Sequence, residues 1–240
     1  MAKMRLDKLL SNMGYGTRKD IKKFAKDGLI VVDGKIVKDS SQHVETEEQQ
    51  VEFDGEIVRY REFVYLMLNK PQGVISATED LVERTVIDLL DQEYIPFEVF
   101  PVGRLDKDTE GLLILSNDGK MAHELLSPRK HVPKTYYADV EGIVTSEDVL
   151  AFSKGVQLDD GYTTLPAHLV ILQSGELSKI ELTIHEGKFH QVKRMFQAVG
   201  KKVKYLKRIK MGNLSLDPAL SLGEYRELRE EEISLLKMVE

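Results

Sequence analysis

Residues 103–119 have the sequence GRLDKDTEGLLILSNDG. The first half is polar and holds two aspartates, Asp106 and Asp108, whereas residues 112–116 form an apolar run of strand length that ends at a turn signal, Asn117-Asp118-Gly119. Loops that lead into a rigid strand commonly position functional groups. The composition of this segment is compatible with an ordinary turn, a calcium loop or a catalytic loop. The calcium reading is poor, because a loop that starts at Asp106 lacks the closing glutamate of an EF-hand and has Asn117 at that position.

Strand-like and helix-like segments lie on both sides of this loop. Residues 65–71 are typical of a buried strand that ends at Pro71. Apolar spacing predicts further strands at 134–140, 165–172 and 178–184, and helices at 121–126 and 190–199. The irregular alternation of these segments predicts an α+β fold with a largely antiparallel mixed sheet flanked by helices.

The N-terminal segment has a different pattern. Residues 5–10 space their apolar side chains at helical intervals, and Thr17 is a good N-cap for a second helix over 18–27, which Gly28 ends. Turn signals at Asp33-Gly34 and Asp54-Gly55 each separate two short strands, at 29–37 and 50–59. This pattern predicts a small helical module with hairpins.

The composition limits the classes of function. The 240 residues contain no Cys and no Trp, which excludes a disulfide framework, a thiol nucleophile and a thiolate metal site. The sequence has no signal-peptide core and no apolar run of about 20 residues that could span a membrane. We therefore expect a cytoplasmic protein without a membrane partner.

The charge is unevenly distributed along the chain. The net charge is −6, yet residues 1–38 hold ten Lys or Arg against four Asp or Glu, and residues 188–210 hold nine basic residues and no acid. Residues 39–62 reverse this balance, with eight acids against two basic residues. Two basic segments in an acidic chain favour two surfaces for a polyanion such as RNA. Solvated helix faces are the alternative.

Three N-terminal motifs resemble the S4 RNA-binding module: RLDKLL at 5–10, TR at 17–18 and GLIVVDG at 28–34. The resemblance covers about residues 4–53 and implies an S4-like RNA-binding domain over 1–59. Basic residues recur at helical spacing opposite the apolar stripe, where they could lie along phosphates. The predicted RNA contacts are Arg5, Arg18, Lys19 and Lys22. A lysine-rich surface helix without a ligand is the alternative.

Three further motifs resemble, in order, the pseudouridine synthases that modify ribosomal RNA. They are RLD at 104–106 followed by T-x-GLL at 109–113, KTY at 134–136, and EGKFHQVKRMF at 186–196. The resemblance implies a catalytic domain over 60–240. It also implies that Asp106 is the required carboxylate, that Tyr136 lies against the uracil and that Lys193 pairs with the aspartate. Related branches carry arginine in place of this lysine, so a bidentate clamp becomes a point charge here.

The expected reaction breaks the C1′–N1 glycosidic bond, turns the uracil and joins C5 to C1′. No cofactor is expected, and the sequence has no P-loop and no dinucleotide fingerprint. A metal pair of His185 and His190 is a weak alternative. Asp106 could act as a nucleophile or as a base, and these roles stay open. Arg104 is expected to fill the space of a flipped base. Further RNA contacts are predicted at Lys188, His190, Gln191 and Arg194.

Local residue choices favour one branch of the family. Residues 189–200 (FHQVKRMFQAVG), 155–158 (GVQL) and 223–228 (GEYREL) are similar to the S4-containing branch that modifies uridine 516 of 16S ribosomal RNA. The expected partner is therefore 16S RNA or a small-subunit assembly intermediate, and the expected state is a monomer. The alternatives are a synthase acting on 23S RNA and a catalytically silent S4-type RNA-binding or ribosome-assembly protein.

Overall fold

The computed structural model describes residues 3–237. The chain forms two compact units, one made of the residues up to Val64 together with Leu90–Val99, the other of Tyr65–Leu89 together with the residues from Phe100 onward. Within residues 3–237, no helix has the length and apolar character needed to cross a membrane.

The first unit combines two short helices with short strands. Its elements are β1 Lys3–Arg5, α1 Leu6–Asn12, α2 Arg18–Lys26, β2 Ile30–Val32, β3 Lys35–Ile36, β4 His43–Glu45, β5 Val51–Phe53 and β6 Glu56–Val58. The strand order β3-β2-β5-β6 forms one antiparallel sheet, and β1 pairs with β4. The two helices and both hairpins agree with the sequence prediction.

The start of α2 shows why the chain becomes helical there. The Thr17 hydroxyl accepts a hydrogen bond from the Asp20 amide, and the Asp20 carboxylate accepts one from the Thr17 amide at 3.0 Å. This capping box satisfies two amides that the first turn leaves unpaired. Ile21 and Ala25 are buried in the core of the unit against α1 residues such as Leu9, so the basic side chains of α2 face solvent.

One segment of this unit comes from later in the chain. Residues 90–99 pack with the N-terminal residues, and a Cβ on Gly14 would lie 2.4 Å from Cγ of Pro96. Gly14 also has φ +85°, so both the close approach and the backbone favour glycine. The predicted domain boundary between residues 59 and 60 did not anticipate this return of the chain, and it stays a prediction.

The second unit is built on a mixed sheet. Its strands are β7 Tyr65–Lys70, β8 Phe100–Val102, β9 Glu110–Ser116, β10 Lys134–Glu141, β11 His168–Gln173, β12 Leu177–Ile184, β13 Lys202–Met211, β14 Leu214–Ser215 and β15 Tyr225–Glu227. Its helices are α3 Gly119–Leu126, α4 Ser146–Lys154, α5 Gln191–Ala198 and α6 Glu230–Lys237. The order is β11-β12-β10-β13-β9-β7-β15, with β8 on β9 and β14 on β13. Strands β9 and β13 are parallel, and the other pairs are antiparallel, so the predicted α+β class is confirmed.

One row of residues crosses the middle of this sheet. Lys70 pairs with Gly111, Gly111 pairs with Arg208, and Arg208 pairs with Tyr136. Gly111 has φ +103°, and a Cβ there would lie 2.2 Å from the Arg208 carbonyl oxygen. Only glycine therefore allows β9 and β13 to approach so closely, and this approach fixes the strand that follows the Asp106 loop.

Strand β13 was not predicted. Residues 202–211 read KVKYLKRIKM, and their charges hid the strand, so a solvated helix face was the alternative interpretation for basic residues such as Lys202. That interpretation is wrong, because Lys202 begins β13 and pairs with Glu141 of β10. The predicted helix over 190–199 is confirmed as α5, which packs on β13 and also on α4, where the rings of Phe196 and Phe152 are 4.9 Å apart.

Candidate active site

The loop that carries Asp106 joins β8 to β9 and is held by the segment that follows β7. The Ser76 hydroxyl donates to the Leu105 carbonyl at 3.0 Å and accepts from the Leu105 amide at 3.1 Å. The Gly73 amide donates to the Lys107 carbonyl at 2.8 Å. These hydrogen bonds fix the backbone at Leu105 and Lys107, on both sides of Asp106, and so restrict the position of the Asp106 side chain.

A buried lysine, Lys70, also forms hydrogen bonds with the backbone of this loop. Lys70 is fully buried at the end of β7, and its ammonium donates to the carbonyls of Asp106 at 3.1 Å, Thr109 at 3.0 Å and Pro71 at 3.0 Å. Burial lowers the pKa of Lys70 to about 8, against the opposing attraction of the nearby loop acids. Lys70 is therefore a positioning residue for the backbone that carries Asp106.

The Asp106 carboxylate has two partners from the segment around the start of α5. Lys193 Nζ donates to Oδ2 at 3.3 Å, and His190 Nε2 lies 3.6 Å from Oδ1. Lys193 also donates to Asp108 at 2.6 Å, and this hydrogen bond is the main reason that the pKa of Asp108 is lowered. The predicted pair of Asp106 and Lys193 is present in this geometry, and Asp108 is an additional member.

A hydrogen-bond network shapes the turn that leads into α5. The Glu186 carboxylate accepts from Gln191 Nε2 at 2.8 Å, from the Leu165 amide at 2.9 Å and from the Tyr162 hydroxyl at 2.7 Å. Gln191 Oε1 in turn accepts from the Lys188 amide at 2.8 Å. The amide of Gln191, predicted to contact RNA, is thus buried and engaged inside the protein.

Tyr136 lies in the sheet rather than in the loop cluster. It is buried on β10, and within residues 3–237 its hydroxyl has no hydrogen bond with Asp106 or Lys193. The structure therefore brings Asp106, Lys193 and His190 into contact. Tyr136 belongs to the cross-sheet row on β10, which is separated from β9 by strand β13.

Two cations lie beside Tyr136. Arg208 is 2% exposed, its Nε donates to the Leu112 carbonyl at 2.8 Å, and its Nη2 has no hydrogen-bond partner in the described part of the chain. Lys134 donates to the Val132 carbonyl at 2.9 Å, and burial together with the Arg208 charge lowers its pKa to about 8. These two charges favour a group with carbonyl or anionic oxygens in this part of the sheet.

The other predicted RNA contacts near Asp106 differ in their availability. Arg104 and Lys188 are exposed. The guanidinium of Arg194 is held by Asp159, through Nε at 2.7 Å, and by Asp160, through Nη2 at 2.7 Å. Arg104 and Lys188 can therefore meet an incoming phosphate directly, whereas Arg194 already has two carboxylate partners.

In the first unit the predicted RNA contacts lie on and beside α2. Arg18, Lys19 and Lys22 are exposed on that helix. Arg5 pairs with the Asp7 carboxylate at 2.7 Å, and this hydrogen bond lowers the pKa of Asp7. The exposed ridge of α2 suits phosphate contacts, which position RNA without reading its sequence.

The two histidines considered as a metal pair point to different partners. His185 Nδ1 lies 3.1 Å from the His131 carbonyl oxygen, whereas His190 faces Asp106. Across residues 3–237 no group of three or more His, Cys, Asp or Glu side chains is arranged to hold a metal ion. The expectation of a reaction without a cofactor stays a prediction.

Sequence reasoning missed Lys70 and Arg208. Lys70 carried a readable signal, because it closes the apolar run YLMLNK immediately before Pro71, and lysine is seldom fully buried. Arg208 had no such signal, since it is one of several basic residues in an unpredicted strand.

Comparison with known proteins adds family information to this geometry. Residues 64–198 match the family described as RNA pseudouridylate synthase, and residues 4–51 match the S4 domain. The chain is 57% identical to YtzG of Bacillus subtilis, which is named an uncharacterized RNA pseudouridine synthase, over 97% of this chain and 98% of the relative. It is 41% identical to ribosomal small subunit pseudouridine synthase A of Yersinia pestis, over 96% and 97% of the two chains.

Two further similarities bear on the branch and on the fold. Ribosomal large subunit pseudouridine synthase B of Bacillus subtilis is 39% identical, over 97% of this chain and 95% of the relative. A solved structure described as a pseudouridylate synthase superimposes with a TM-score of 0.68 at 36% identity, covering 97% of this chain and 99% of that one.

Proposed function

The chain belongs to the RNA pseudouridylate synthase family, and from that membership we propose that it converts uridine 516 of 16S ribosomal RNA to pseudouridine, with Asp106 as the required carboxylate and without a cofactor. The membership itself makes the chain an RNA-modifying isomerase with an S4 domain. The target nucleotide and the roles of individual residues are the proposed part.

The reaction rearranges atoms that the substrate already contains. The C1′–N1 bond breaks, the uracil turns, a C1′–C5 bond forms, the C5 proton leaves and N1 takes up a proton. The protein must therefore supply a group that starts bond cleavage, a surface that holds the free base, and a route for one proton. A carboxylate serves the first need either as a nucleophile or as the base that removes the 2′ proton.

The contacts of Asp106 are the observation that carries the proposal. Its two oxygens face different cationic or hydrogen-bonding groups, Lys193 at 3.3 Å and His190 at 3.6 Å, and its carbonyl accepts from Lys70 at 3.1 Å. The Lys193 ammonium donates a hydrogen bond to the carboxylate, and the hydrogen bonds to the loop backbone limit the movement of the residue. This arrangement suits a single carboxylate that must be charged and aimed when the nucleotide arrives.

Tyr136 and Arg104 have proposed roles on the substrate side. The ring of Tyr136 offers a flat face for the uracil, and its phenol is the proposed relay for the C5 proton, passing on its own hydroxyl proton as it takes up the one from C5. The target must leave its stack to be reached, at a cost of roughly a few kcal/mol. Arg104 is exposed and lies two residues before Asp106, where its side chain can take the place of the flipped base.

The choice of 16S RNA rests on local residues and on names of relatives. Residues 189–200, FHQVKRMFQAVG, are similar to the small-subunit branch, and relatives at 41% identity carry the small-subunit name. A 23S target is the second candidate, because a relative at 39% identity is named for the large subunit. We further propose that the protein acts in the cytoplasm as a monomer on 16S RNA or on a small-subunit assembly intermediate.

Tritium release tests the proposal directly. The protein is incubated with 16S and 23S transcripts that carry tritium at uridine C5, as naked RNA and as assembling particles, and the modified position is mapped. We expect release from 16S RNA and a single modified uridine at position 516. Release from 23S RNA alone would move the function to the second candidate. No release from any of these substrates would contradict the proposed activity and favour a silent RNA-binding protein.

A further inference from the structure

An aromatic ring lies in solvent beside the proposed catalytic carboxylate. Phe189 is 75% exposed, although its size and apolar character favour burial. Its ring stacks on the His190 imidazole with 3.8 Å between centroids and 19° between planes. His190 Nε2 is 3.6 Å from Asp106, so a single imidazole separates the exposed ring from the carboxylate.

The backbone that carries Phe189 is fixed rather than loose. The Phe189 carbonyl accepts from Arg194 Nη1 at 3.4 Å, and Arg194 is itself held by Asp159 and Asp160. His190 adopts φ +49°, the left-handed region, which is uncommon for a residue other than glycine. These bonds anchor an uncommon backbone conformation next to Phe189, whose ring faces solvent. This combination indicates that the exposed face of the ring has a functional role.

The surroundings of the ring match nucleic acid. Lys188 Nζ lies 4.5 Å above the Tyr162 ring, and within residues 3–237 no carboxylate is within ion-pair distance of it. The nearby acids already have partners: Asp159 and Asp160 pair with Arg194, and Glu186 accepts three hydrogen bonds. Phe189 is thus an exposed ring that follows, in the sequence, a lysine without a carboxylate partner, and this combination suits an unstacked base and its phosphate.

We propose that Phe189 stacks on the base of a nucleotide adjacent to the target uridine, and that Lys188 meets the neighbouring phosphate. The inference rests on the proposed function, since it assumes an RNA substrate at Asp106. A base on the outer face of Phe189 would be separated from Asp106 by the Phe189 and His190 rings. That position belongs to a neighbour of the target, so Phe189 contributes to RNA selection rather than to bond breakage.

The absence of tryptophan from the chain permits a direct optical test. Phe189→Trp introduces a single tryptophan at the proposed stacking position, and Ile143→Trp introduces one at a control position that is 60% exposed beyond the end of β10. Each variant is titrated with a 16S fragment that contains the target. We expect quenching of the Phe189→Trp fluorescence that saturates with binding, and an unchanged Ile143→Trp signal. Unchanged fluorescence of Phe189→Trp under saturating RNA would overturn the proposal.

Kinetics with abasic RNA identify the stacked nucleotide. Phe189→Ala should raise KM by about 5- to 150-fold, the range expected for the loss of one stacked base, and leave kcat within about threefold. Phe189→Tyr should restore KM, because the flat ring is kept. Removing the base from one of the two nucleotides that flank the target should raise the wild-type KM equally, and Phe189→Ala should then add nothing further.

The outcomes separate this inference from the proposed function. If the wild-type protein releases tritium but Phe189→Ala has the wild-type KM on intact RNA, the stacking proposal fails and the function stands. If Phe189→Ala lowers kcat at unchanged KM, Phe189 acts through His190 on the carboxylate, and the proposal is equally contradicted. If the wild-type protein releases no tritium, the proposed function fails first. Quenching of Phe189→Trp by RNA would still support a base contact in that case.

Discussion

Lys193 forms its shorter ion pair with Asp108, at 2.6 Å. Its distance to Asp106 is 3.3 Å, so one ammonium is shared between two carboxylates of the same loop. Asp108 is 70% exposed on its side chain, whereas that of Asp106 is 29% exposed. Solvent screens the attraction between Lys193 and the exposed Asp108, so this ion pair positions the ammonium near the loop but adds little stability. Asp106 is less exposed, so the same ammonium is screened less at the carboxylate that is proposed to react.

The two loop acids should respond differently to the same substitution. Asp106→Asn is expected to abolish turnover, because the amide can neither attack nor remove a proton. Its RNA affinity should stay within a few fold of the wild-type value, because phosphate contacts supply most of the binding. Asp108→Asn should keep kcat within about threefold and the free energy of unfolding within about 1 kcal/mol, as is usual for an exposed pair. Single-turnover tritium release and filter binding measure both quantities. Normal turnover by Asp106→Asn would show that another group is the required carboxylate.

Lys193 should tolerate arginine and not methionine. Lys193→Met keeps the length of the side chain but leaves Asp106 with His190 alone, and we expect kcat to fall about 100-fold, as for the loss of one preorganised charged contact. Lys193→Arg should keep activity within about tenfold, because a guanidinium can still reach Asp106. The kcat of each variant at saturating RNA is the measurement. Equal losses in both variants would indicate that the geometry of the ammonium, rather than its charge, is required.

The site was predictable where chemistry follows from a motif and unpredictable where it follows from packing. Asp106 and Lys193 were found because each occurs within an ordered motif, and the structure brings them together. The sharing of Lys193 with Asp108 depends on the conformation of the loop between β8 and β9, which no local pattern specifies. The burial of Gln191 depends on a carboxylate five residues earlier and on the backbone of Leu165, which become neighbours only in the fold.

The fold shows the same division. The capping box of Thr17 and the glycine-containing turns are local signals, and the N-terminal elements were predicted well. Strand β13 was missed because its alternation is between long cationic and apolar side chains, and the lysine stems can cover surface while their ammonium groups stay in water. The return of residues 90–99 to the first unit is a long-range contact between short apolar segments, for which the sequence contains no periodic signal.

Lys70 should be needed for the loop more than for the sheet. Lys70→Met keeps a long apolar side chain and removes the donors to the carbonyls of Asp106, Thr109 and Pro71. We expect the free energy of unfolding to fall by about 1–3 kcal/mol, because buried carbonyls lose a partner while the cost of burying a charge disappears. We expect kcat to fall about 100-fold through misplacement of Asp106. Urea unfolding and single-turnover kinetics give these values.

Lys107→Met is the matched control for that substitution. Lys107 lies in the same loop, but its ammonium is exposed and pairs with Glu83 at 2.6 Å. It should change stability by less than about 1 kcal/mol and leave kcat nearly unchanged. A similar loss of turnover in both lysine variants would mean that the loop is sensitive to any change, and the special role of Lys70 would be lost.

The pH dependence of stability should reveal the buried ammonium of Lys70. Its pKa is about 8 in the folded protein against 10.5 for an ordinary lysine. Below pH 8 both states hold the proton. Between pH 8 and 10.5 the unfolded chain keeps a proton that the folded protein has lost, so stability rises with pH. From pH 8 to 9.5 the wild-type protein should gain about 1.6 kcal/mol relative to Lys70→Met. Lys134 and Tyr137 titrate in both proteins and cancel. Parallel stability curves would contradict the lowered pKa.

Salt dependence should distinguish free from engaged cations near the site. A cation that contacts an RNA phosphate contributes about 0.7 to the slope of log K against log salt for a single strand. Lys188 is exposed without a carboxylate partner in the described residues, so Lys188→Met should reduce the slope by about this amount. Arg194 is held by Asp159 and Asp160, so Arg194→Met removes no phosphate contact and should reduce the slope by less than Lys188→Met does, through the repulsion between RNA and the two released carboxylates. An equal reduction of slope in both variants would show that RNA displaces the two aspartates, and that the Arg194 guanidinium meets phosphate only in the complex.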